Sequence, residues 1–257
     1  MNLGKRLLLL AAICLIAPTV QAANVSVGGG IGFTPDYEGS KDYKAVPVPM
    51  ADVKFDNGMF MKLFGLNLRA NLLPNKNWQL GPVVNYRGPR EDVENNAVDD
   101  MKDVDGTSEL GVFGSFVYNK WFVSVEFMSD MGDGHDGWYS KLKGGYNWVV
   151  NESWVVSIGA SATYADDDYM QTYFGVSAAE AAAPGSILAP YSAGAGLKTV
   201  GLDARASYAM SETMTLHFRG GWNRFIGEAA DSPIVRAGSR NELSVGMGIS
   251  YRFAFDG

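Results

Sequence analysis

The most constraining feature of this sequence is a strict alternation of apolar residues with small or polar ones, which continues along most of the chain. Alternation with a period of two is the pattern of a β-strand that has two different faces. Segments beginning at Trp154, Val200 and Met214 show it. In the clearest segment, one face consists of Leu243, Val245, Met247, Ile249, Tyr251 and Phe253. The chain is therefore predicted to be all-β.

The opposite strand face and the strand ends indicate which kind of β protein this is. Alternation also fits a soluble sandwich, in which the apolar side chains face a core. Here the second face is small and polar, and aromatic residues such as Trp154 and Tyr164 stand at the ends of the apolar face. Aromatic girdles around an apolar band are typical of transmembrane barrels. We predict a transmembrane antiparallel β-barrel in the outer membrane of a Gram-negative bacterium, with a secreted soluble β protein as the alternative.

Loop lengths predict the number of strands, because such barrels have short periplasmic turns, long extracellular loops and, normally, periplasmic termini. Short connections near 119–120, 150–153 and 210–212 alternate with long ones near 88–106, 165–196 and 226–240. Counts of short and long connections from the two ends of the chain agree only if Met59–Asn77 crosses the membrane twice. The apolar phase of this segment does slip at Gly65. The prediction is about 12 strands, with about 10 as the alternative.

Residues 1–22 are predicted to be a cleaved signal peptide. Two basic residues precede an apolar run from Leu7 to Val20, and small residues follow at Ala22 and Ala23, which is the order of regions in a secretory signal. The run is shorter than the roughly 20 apolar residues of a membrane-spanning helix. Residues 23–257 show no linker or repeat and are predicted to form a single barrel domain.

Charge and cysteine content narrow the possible functions. The chain has 21 Lys and Arg against 28 Asp and Glu, and loss of the signal peptide leaves 19 against 28, a net charge of −9. This acidic balance argues against nucleic acid as a partner. The only cysteine, Cys14, lies in the signal peptide. The mature chain is therefore predicted to have neither disulfides nor thiolate metal ligands.

The longest predicted extracellular loop begins with an acidic run directly after the strand that ends at Tyr164. Further along, "SAAEAAAP" has Ser177 and Glu180 at capping-box spacing and Pro184 as a stop, which predicts a short helix over the barrel mouth. The apolar residues of "YMQTYFGV" are expected to pack beneath that helix. The candidate surface of this loop consists of Asp166, Asp167, Asp168 and Tyr169.

Charged residues of both signs share the strand parity that faces the barrel lumen. Opposite charges across a narrow barrel form ion pairs that fill it, so a closed or narrow lumen is favoured over an open pore. Asp52 and Lys54 also have inward parity. The candidate lumen network consists of Glu109, Glu126, Lys141, Lys143, Asp203, Arg205 and Arg219.

Neither histidine indicates an active site. His135 lies in "SDMGDGHDGW", whose carboxylates match no known Ca²⁺-loop spacing, so a solvated acidic turn is expected there. His217 faces the lumen without a recognisable nucleophile motif. The sequence predicts no enzymatic activity and no cofactor, and it leaves open whether the acidic loops bind a divalent cation.

Five stretches carry a recognisable set of motifs. They are "PDYEGSKDYKAVPVPM" at 35–50, "DVDGTSELGVF" at 103–113, "ADDDYMQTYFGV" at 165–176, "YSAGAGLKTVGL" at 191–202 and "GEAADSPIVRAGSRNELSVGMGISYRF" at 227–253. Together they resemble the MipA/OmpV family, the MltA-interacting outer-membrane proteins. The resemblance covers essentially the whole mature chain.

The resemblance implies a scaffold that joins the outer membrane to a periplasmic murein hydrolase, a lytic transglycosylase, and to a murein synthase. Because other members of the family are adhesins or envelope-stress proteins, the resemblance also implies that this chain could have one of those roles. A narrow small-solute channel is the main alternative from a different functional class. Because one fold can serve many functions, the resemblance implies the fold more strongly than the role.

Overall fold

A computed structural model describes residues 22–253, so the predicted signal peptide, apart from Ala22, lies outside the described residues. Twelve strands account for most of the chain. They are β1 (Ala22–Pro35), β2 (Tyr43–Phe55), β3 (Phe60–Phe64), β4 (Asn67–Asn71), β5 (Trp78–Arg87), β6 (Thr107–Tyr118), β7 (Trp121–Asp130), β8 (Trp138–Val149), β9 (Trp154–Ala165), β10 (Gly196–Ala209), β11 (Met214–Phe225) and β12 (Asn241–Phe253).

Each strand pairs with its neighbours in the sequence, and β1 pairs with β12 to close an antiparallel barrel. The closing register runs from Val25 opposite Phe253 to Phe33 opposite Val245. Closure pairs the backbone groups that lipid cannot hydrogen-bond. The predicted all-β barrel of about 12 strands is confirmed, and the alternative of ten strands is wrong.

The outer surface of the barrel is apolar, as its membrane location requires. Alternate residues along the strands, such as Val112, Leu142 and Leu202, are exposed hydrophobics at mid-height of the wall. Exposed aromatic residues lie near both ends, including Trp78, Tyr118, Trp121 and Trp148 at the end with short turns and Tyr43, Tyr86 and Tyr164 at the end with long loops. This arrangement of an apolar band between aromatic girdles places the barrel in the outer membrane.

The β3–β4 hairpin explains the slip in the apolar pattern. Both strands have only five residues, and Gly65 between them adopts a φ of 58°. The Gly65 amide donates to the Pro49 carbonyl at 2.9 Å, so Pro49 faces the hairpin side of β2. Pro47 has the same parity and lies above the hairpin, where no described strand pairs with β2 on that side. Two prolines thus occupy an edge where an amide donor would lack a partner.

Five short helices lie in the loops at one end of the barrel, which loop length marks as the extracellular end. None of these helices in residues 22–253 is long and apolar enough to span a membrane. The predicted capping box is present, because Ser177 and Glu180 each accept a backbone amide of the other. The helices are α1 (Asn96–Asp99), α2 (Asp167–Phe174), α3 (Ala178–Ala181), α4 (Gly227–Asp231) and α5 (Pro233–Ala237).

We predict that Gly65→Val destabilises the barrel by about 1–2 kcal/mol, because a side chain disfavours the left-handed backbone of the hairpin turn. Gly65→Asn should be milder, since asparagine tolerates this conformation better. Urea unfolding in lipid vesicles, followed by tryptophan fluorescence, measures both effects. Gly220→Val is the control, because a Cβ at Gly220 meets nothing within 4 Å and its φ is not positive. Equal losses in both valine variants would contradict the proposed reason.

Candidate functional site

The extracellular loops fold over the barrel mouth and bury a core of their own. One apolar cluster joins α2 to the tops of the strands and to α4, through residues such as Tyr169, Phe174, Phe225 and Ala229. A second cluster contains Tyr37 from the β1–β2 loop and apolar residues from the loops that follow β5, β9 and β11. We call this assembly of loops the cap. Its packing covers the mouth with protein.

The acidic run starts helix α2. The Asp166 carboxylate accepts the amide of Tyr169 at 3.1 Å, as an N-cap, and the amide of Trp138 at 3.0 Å. Asp167 accepts the amide of Ala195 from the far end of the same loop. Asp168 is exposed in the first helical turn, where a negative charge favours the helix dipole. Asp166 and Asp167 therefore fix the fold of this loop, and Asp168 remains on its surface.

Tyr169 is fully buried, so its assignment to the loop surface is wrong. It lies on the inward face of α2 with Met170, Tyr173 and Phe174, all of them buried. In the sequence, Tyr169 follows the exposed acidic run directly. Only the geometry of helix α2 separates the exposed aspartates from the buried face that carries Tyr169. The ring and hydroxyl of Tyr169 instead meet charged side chains at the top of the lumen.

A compact ionic cluster lies directly beneath the cap. Lys198 Nζ donates to both carboxylate oxygens of Glu38 at 2.8 Å and to the Tyr169 hydroxyl at 2.7 Å. Tyr169 in turn donates to Glu38 at 2.7 Å. Arg87 bridges two carboxylates, with Nη1 at 3.0 Å from Glu38 and Nε at 2.6 Å from Glu109. We call these five residues the cap cluster.

Burial and charge both act on the cap cluster. Burial alone raises the pKa of Glu38, but the neighbouring cations Lys198 and Arg87 outweigh it and lower that pKa to about 2. Burial raises the pKa of Tyr169 well above its usual value, and the nearby guanidinium of Arg87 only partly opposes this. Near neutral pH, Glu38 is therefore ionised and Tyr169 is a neutral hydrogen-bond donor.

His135 also belongs to this region and is buried, although Asp133 and Asp136 of the same acidic turn are exposed to solvent as expected. The Asp130 carboxylate accepts the amides of Gly132, Gly134, His135 and Asp136, so the 131–137 loop folds tightly over it. The His135 ring is buried as a result, with Nε2 3.2 Å from Glu109 and its ring against Tyr169. Among residues 22–253, no group of three or more His, Cys, Asp or Glu side chains could hold a metal ion.

The candidate lumen residues form separate groups at different heights of the barrel. Glu109 belongs to the cap cluster, and Glu126 pairs with Arg69 at 2.8 Å. Lys143 pairs with Asp203, which also lies 4.0 Å from Arg205. The remaining two, Lys141 and Arg219, form no ion pair with a carboxylate among residues 22–253.

Two cavities occupy the lumen and share no lining residue. The upper one, of about 200 Å³, lies under the cap and is lined by Glu38, Arg87, Lys141, Lys198 and Glu242 among others. The lower one, of about 770 Å³, has turn residues such as Glu152 and Ser211 in its lining, so it opens at the periplasmic end. We call it the periplasmic vestibule. Glu126, which lines the upper cavity, pairs with Arg69, and Val83, Phe113 and Met128 form a buried apolar cluster on the adjoining inner wall.

The pattern of this chain matches one protein family along nearly its whole described length. The family described as MltA-interacting protein MipA matches residues 27–253. The chain belongs to the MipA family. None of the curated proteins compared with it matches. Family and fold are those of an outer-membrane barrel and not of a known enzyme.

Solved structures similar to this MipA-family chain include bacterial outer-membrane proteins of low identity. An outer-membrane channel from Pseudomonas putida F1 is 11% identical, with a TM-score of 0.46 over 92% of this chain and 97% of that one. The translocator domain of the autotransporter NalP from Neisseria meningitidis is 10% identical, with a TM-score of 0.45 over 97% and 94% of the two chains.

We predict that Glu38→Gln destabilises the barrel by about 3–5 kcal/mol, because it leaves Lys198 and Arg87 buried without one of their carboxylates. Urea unfolding measures the change. Glu91→Gln, the same substitution at an exposed loop position, is the control and should have little effect. A loss no larger than that of the control would show that the cap cluster does not stabilise the fold.

The pH dependence of stability provides a second test of the same residue. The folded pKa of Glu38, about 2, lies below its ordinary value of 4.5. Its contribution is therefore complete above pH 4.5 and is lost as the pH falls toward 2. Unfolding curves between these pH values should show a smaller loss for Glu38→Gln than for wild type. Parallel losses would contradict the assignment.

Proposed function

We propose that this protein is a non-enzymatic scaffold that holds murein-remodelling enzymes, a lytic transglycosylase and a murein synthase, at the outer membrane. The description of its family names an interaction with MltA. One structural observation supports the proposal most directly. The cap covers the extracellular end of the lumen, whereas the short turns and the vestibule lie at the periplasmic end, where murein enzymes could reach them.

Closure of the mouth disfavours a transport role. A solute passing through would have to displace Arg87 and Lys198 from their buried carboxylate partners, and breaking such contacts is strongly unfavourable. Below the cap, the Arg69–Glu126 pair and the apolar side chains around Phe113 occupy part of the lumen. A porin needs a continuous polar path through its lumen, and side chains packed inside the lumen disfavour such a path.

The β4–β5 connection, residues 72–77, is the periplasmic turn best suited to bind a protein partner. Asn71 is buried beneath it and bonds the Gly58 and Leu73 carbonyls and the Leu73 and Leu80 amides. The Asn75 side chain accepts the amides of Asn77 and Trp78. The exposed residues Pro74, Asn75, Lys76 and Asn77 are thus held in one conformation. A rigid turn loses little entropy on binding.

The test is an affinity purification of the tagged protein from mildly cross-linked native envelopes, with an unrelated outer-membrane barrel as control. We predict selective recovery of murein hydrolases or synthases with the wild-type protein. Lys76→Glu should reduce this recovery, because it reverses the charge of the exposed turn. Lys102→Glu, the matched change in an extracellular loop, should not. Recovery equal to that of the unrelated barrel would contradict the scaffold role.

Conductance of the purified protein in planar bilayers distinguishes the scaffold from a narrow small-solute channel. The closed mouth predicts negligible steady conductance for the wild-type protein. Strong ion conductance would favour the channel instead. A surface adhesin would also have a closed lumen, but it would recover ligands from outside the cell and not murein enzymes.

A further inference from the structure

The periplasmic vestibule has a charge opposite to that of the protein as a whole. The chain carries a net charge of −7, yet five cationic side chains and only three carboxylates line this cavity. The carboxylates are those of Asp52, Glu152 and Glu212, and the last two lie in periplasmic turns at the rim. The interior of the vestibule is therefore basic. Its cations are Lys54, Lys62, Arg205 and Arg219, while the fifth, Arg252, lies at the rim and donates to the Glu212 carbonyl.

Two arginines lie side by side on the wall of this cavity. Arg205 of β10 and Arg219 of β11 are direct cross-strand partners, and both line the vestibule. Like charges directly opposite each other on one sheet face destabilise a strand pair. A barrel that needed only stability would have a neutral or acidic residue at one of these positions. The pair therefore calls for an explanation other than folding.

The hydrogen-bonding capacity of the two guanidinium groups is largely unused by the protein. The Nε of Arg205 is buried without an acceptor, since it lies 4.0 Å from Asp203, which pairs with Lys143. One Nη of Arg205 donates to Ser157 at 3.2 Å. Arg219 forms no ion pair with a carboxylate of the described barrel and instead stacks its guanidinium on the Phe64 ring at 3.4 Å.

The surroundings keep these donors in place. Stacking on Phe64 fixes the plane of the Arg219 guanidinium and leaves its N–H groups directed along that plane. Lys62, on the same strand as Phe64, adds a third cation to the same cavity and is only loosely held by Asp52 at 3.6 Å. Guanidinium groups bind carboxylate and phosphate oxygens in paired hydrogen bonds. The arrangement is thus complementary to a small oxyanion.

We propose that Arg205 and Arg219, with Lys62, form a binding site for an oxyanionic group, a carboxylate or a phosphate, that enters the vestibule from the periplasm. The ligand neutralises the arginine pair and provides the acceptor that Arg205 Nε lacks. The site is independent of the scaffold role, because it lies inside the lumen and away from the 72–77 turn.

The test is isothermal titration calorimetry of the full-length folded barrel in zwitterionic detergent micelles at low salt, with inorganic phosphate and with glutarate as separate probes. We predict saturable binding of at least one probe in the millimolar range or tighter. Arg219→Gln and Arg205→Gln should each weaken it by at least about tenfold. Arg224→Gln removes the same charge at an exposed position that faces away from the lumen, and it should leave the affinity unchanged.

The two probes distinguish the sources of the oxyanion. Preference for phosphate assigns the site to phosphorylated ligands, and preference for glutarate assigns it to carboxylate ligands such as acidic peptides. Absence of saturable binding by either probe would overturn the proposal. Equal weakening by Arg219→Gln and Arg224→Gln would also overturn it, because the affinity would then follow net charge alone.

Thermal unfolding separates a binding role from a structural one. Because Arg219→Gln relieves like-charge repulsion, it should unfold at the same or a higher temperature than wild type in the absence of ligand. The preferred probe should raise the unfolding temperature of wild type but not of Arg219→Gln. A variant that unfolds at a lower temperature without ligand would indicate that Arg219 is structural, and the proposal would fail.

Discussion

The constraint on which this structure depends is the need to pair every backbone donor and acceptor within hydrocarbon. It requires β1 to meet β12, and it explains why a segment too short for two full strands still forms the β3–β4 hairpin. It also gives a reason for Pro47 and Pro49, which remove donors along the incompletely paired side of β2. The slip in apolar phase at the hairpin and the two prolines of β2 thus have the same cause, which is the pairing of backbone groups.

Barrel closure imposes a second constraint, because the polar side chains that point into the lumen need partners. A wall of alternating residues must direct its polar face inward, and here that face carries charges of both signs. At the extracellular end they are held by loop residues, with Glu38 and Tyr169 contacting Arg87 and Lys198 from above. At the periplasmic end fewer carboxylates are available, and the basic vestibule remains. The lumen is therefore asymmetric, with packed loops over its extracellular end and the vestibule at its periplasmic end.

Strand parity predicted the barrel, the approximate strand number and the inward direction of residues such as Glu109 and Asp203, because alternation is a local property of each strand. It could not predict Lys198. The pairing of β10 with β9 shifts register between Leu197 and Thr199, and this bulge turns Lys198 inward against its parity. The sequence marks the shift only as a slip in apolar phase between the exposed residues Leu197 and Val200, which does not indicate the residue that turns inward.

The cap was predicted least well, for a related reason. Glu38, His135 and Tyr169 reach the top of the lumen from three different loops. The capping-box spacing at Ser177 and Glu180 did predict a helix, since it is a local signal. The acidic run suggested a solvated surface, but Asp166 and Asp167 accept hydrogen bonds that fold the loop. Contacts between distant loops leave no periodic trace in the sequence.

The most direct test of this asymmetric lumen is the accessibility of a single cysteine in the vestibule. Ser207 lines it, and the only native cysteine, Cys14, lies in the predicted signal peptide, so the mature barrel needs no cysteine removed. A maleimide on a polymer too large for porins should not label Ser207→Cys in intact cells, and should label it once the outer membrane is permeabilised. Asp168→Cys, exposed on the cap, should react in both. Labelling of Ser207→Cys in intact cells as fast as Asp168→Cys would contradict a lumen sealed from the outside.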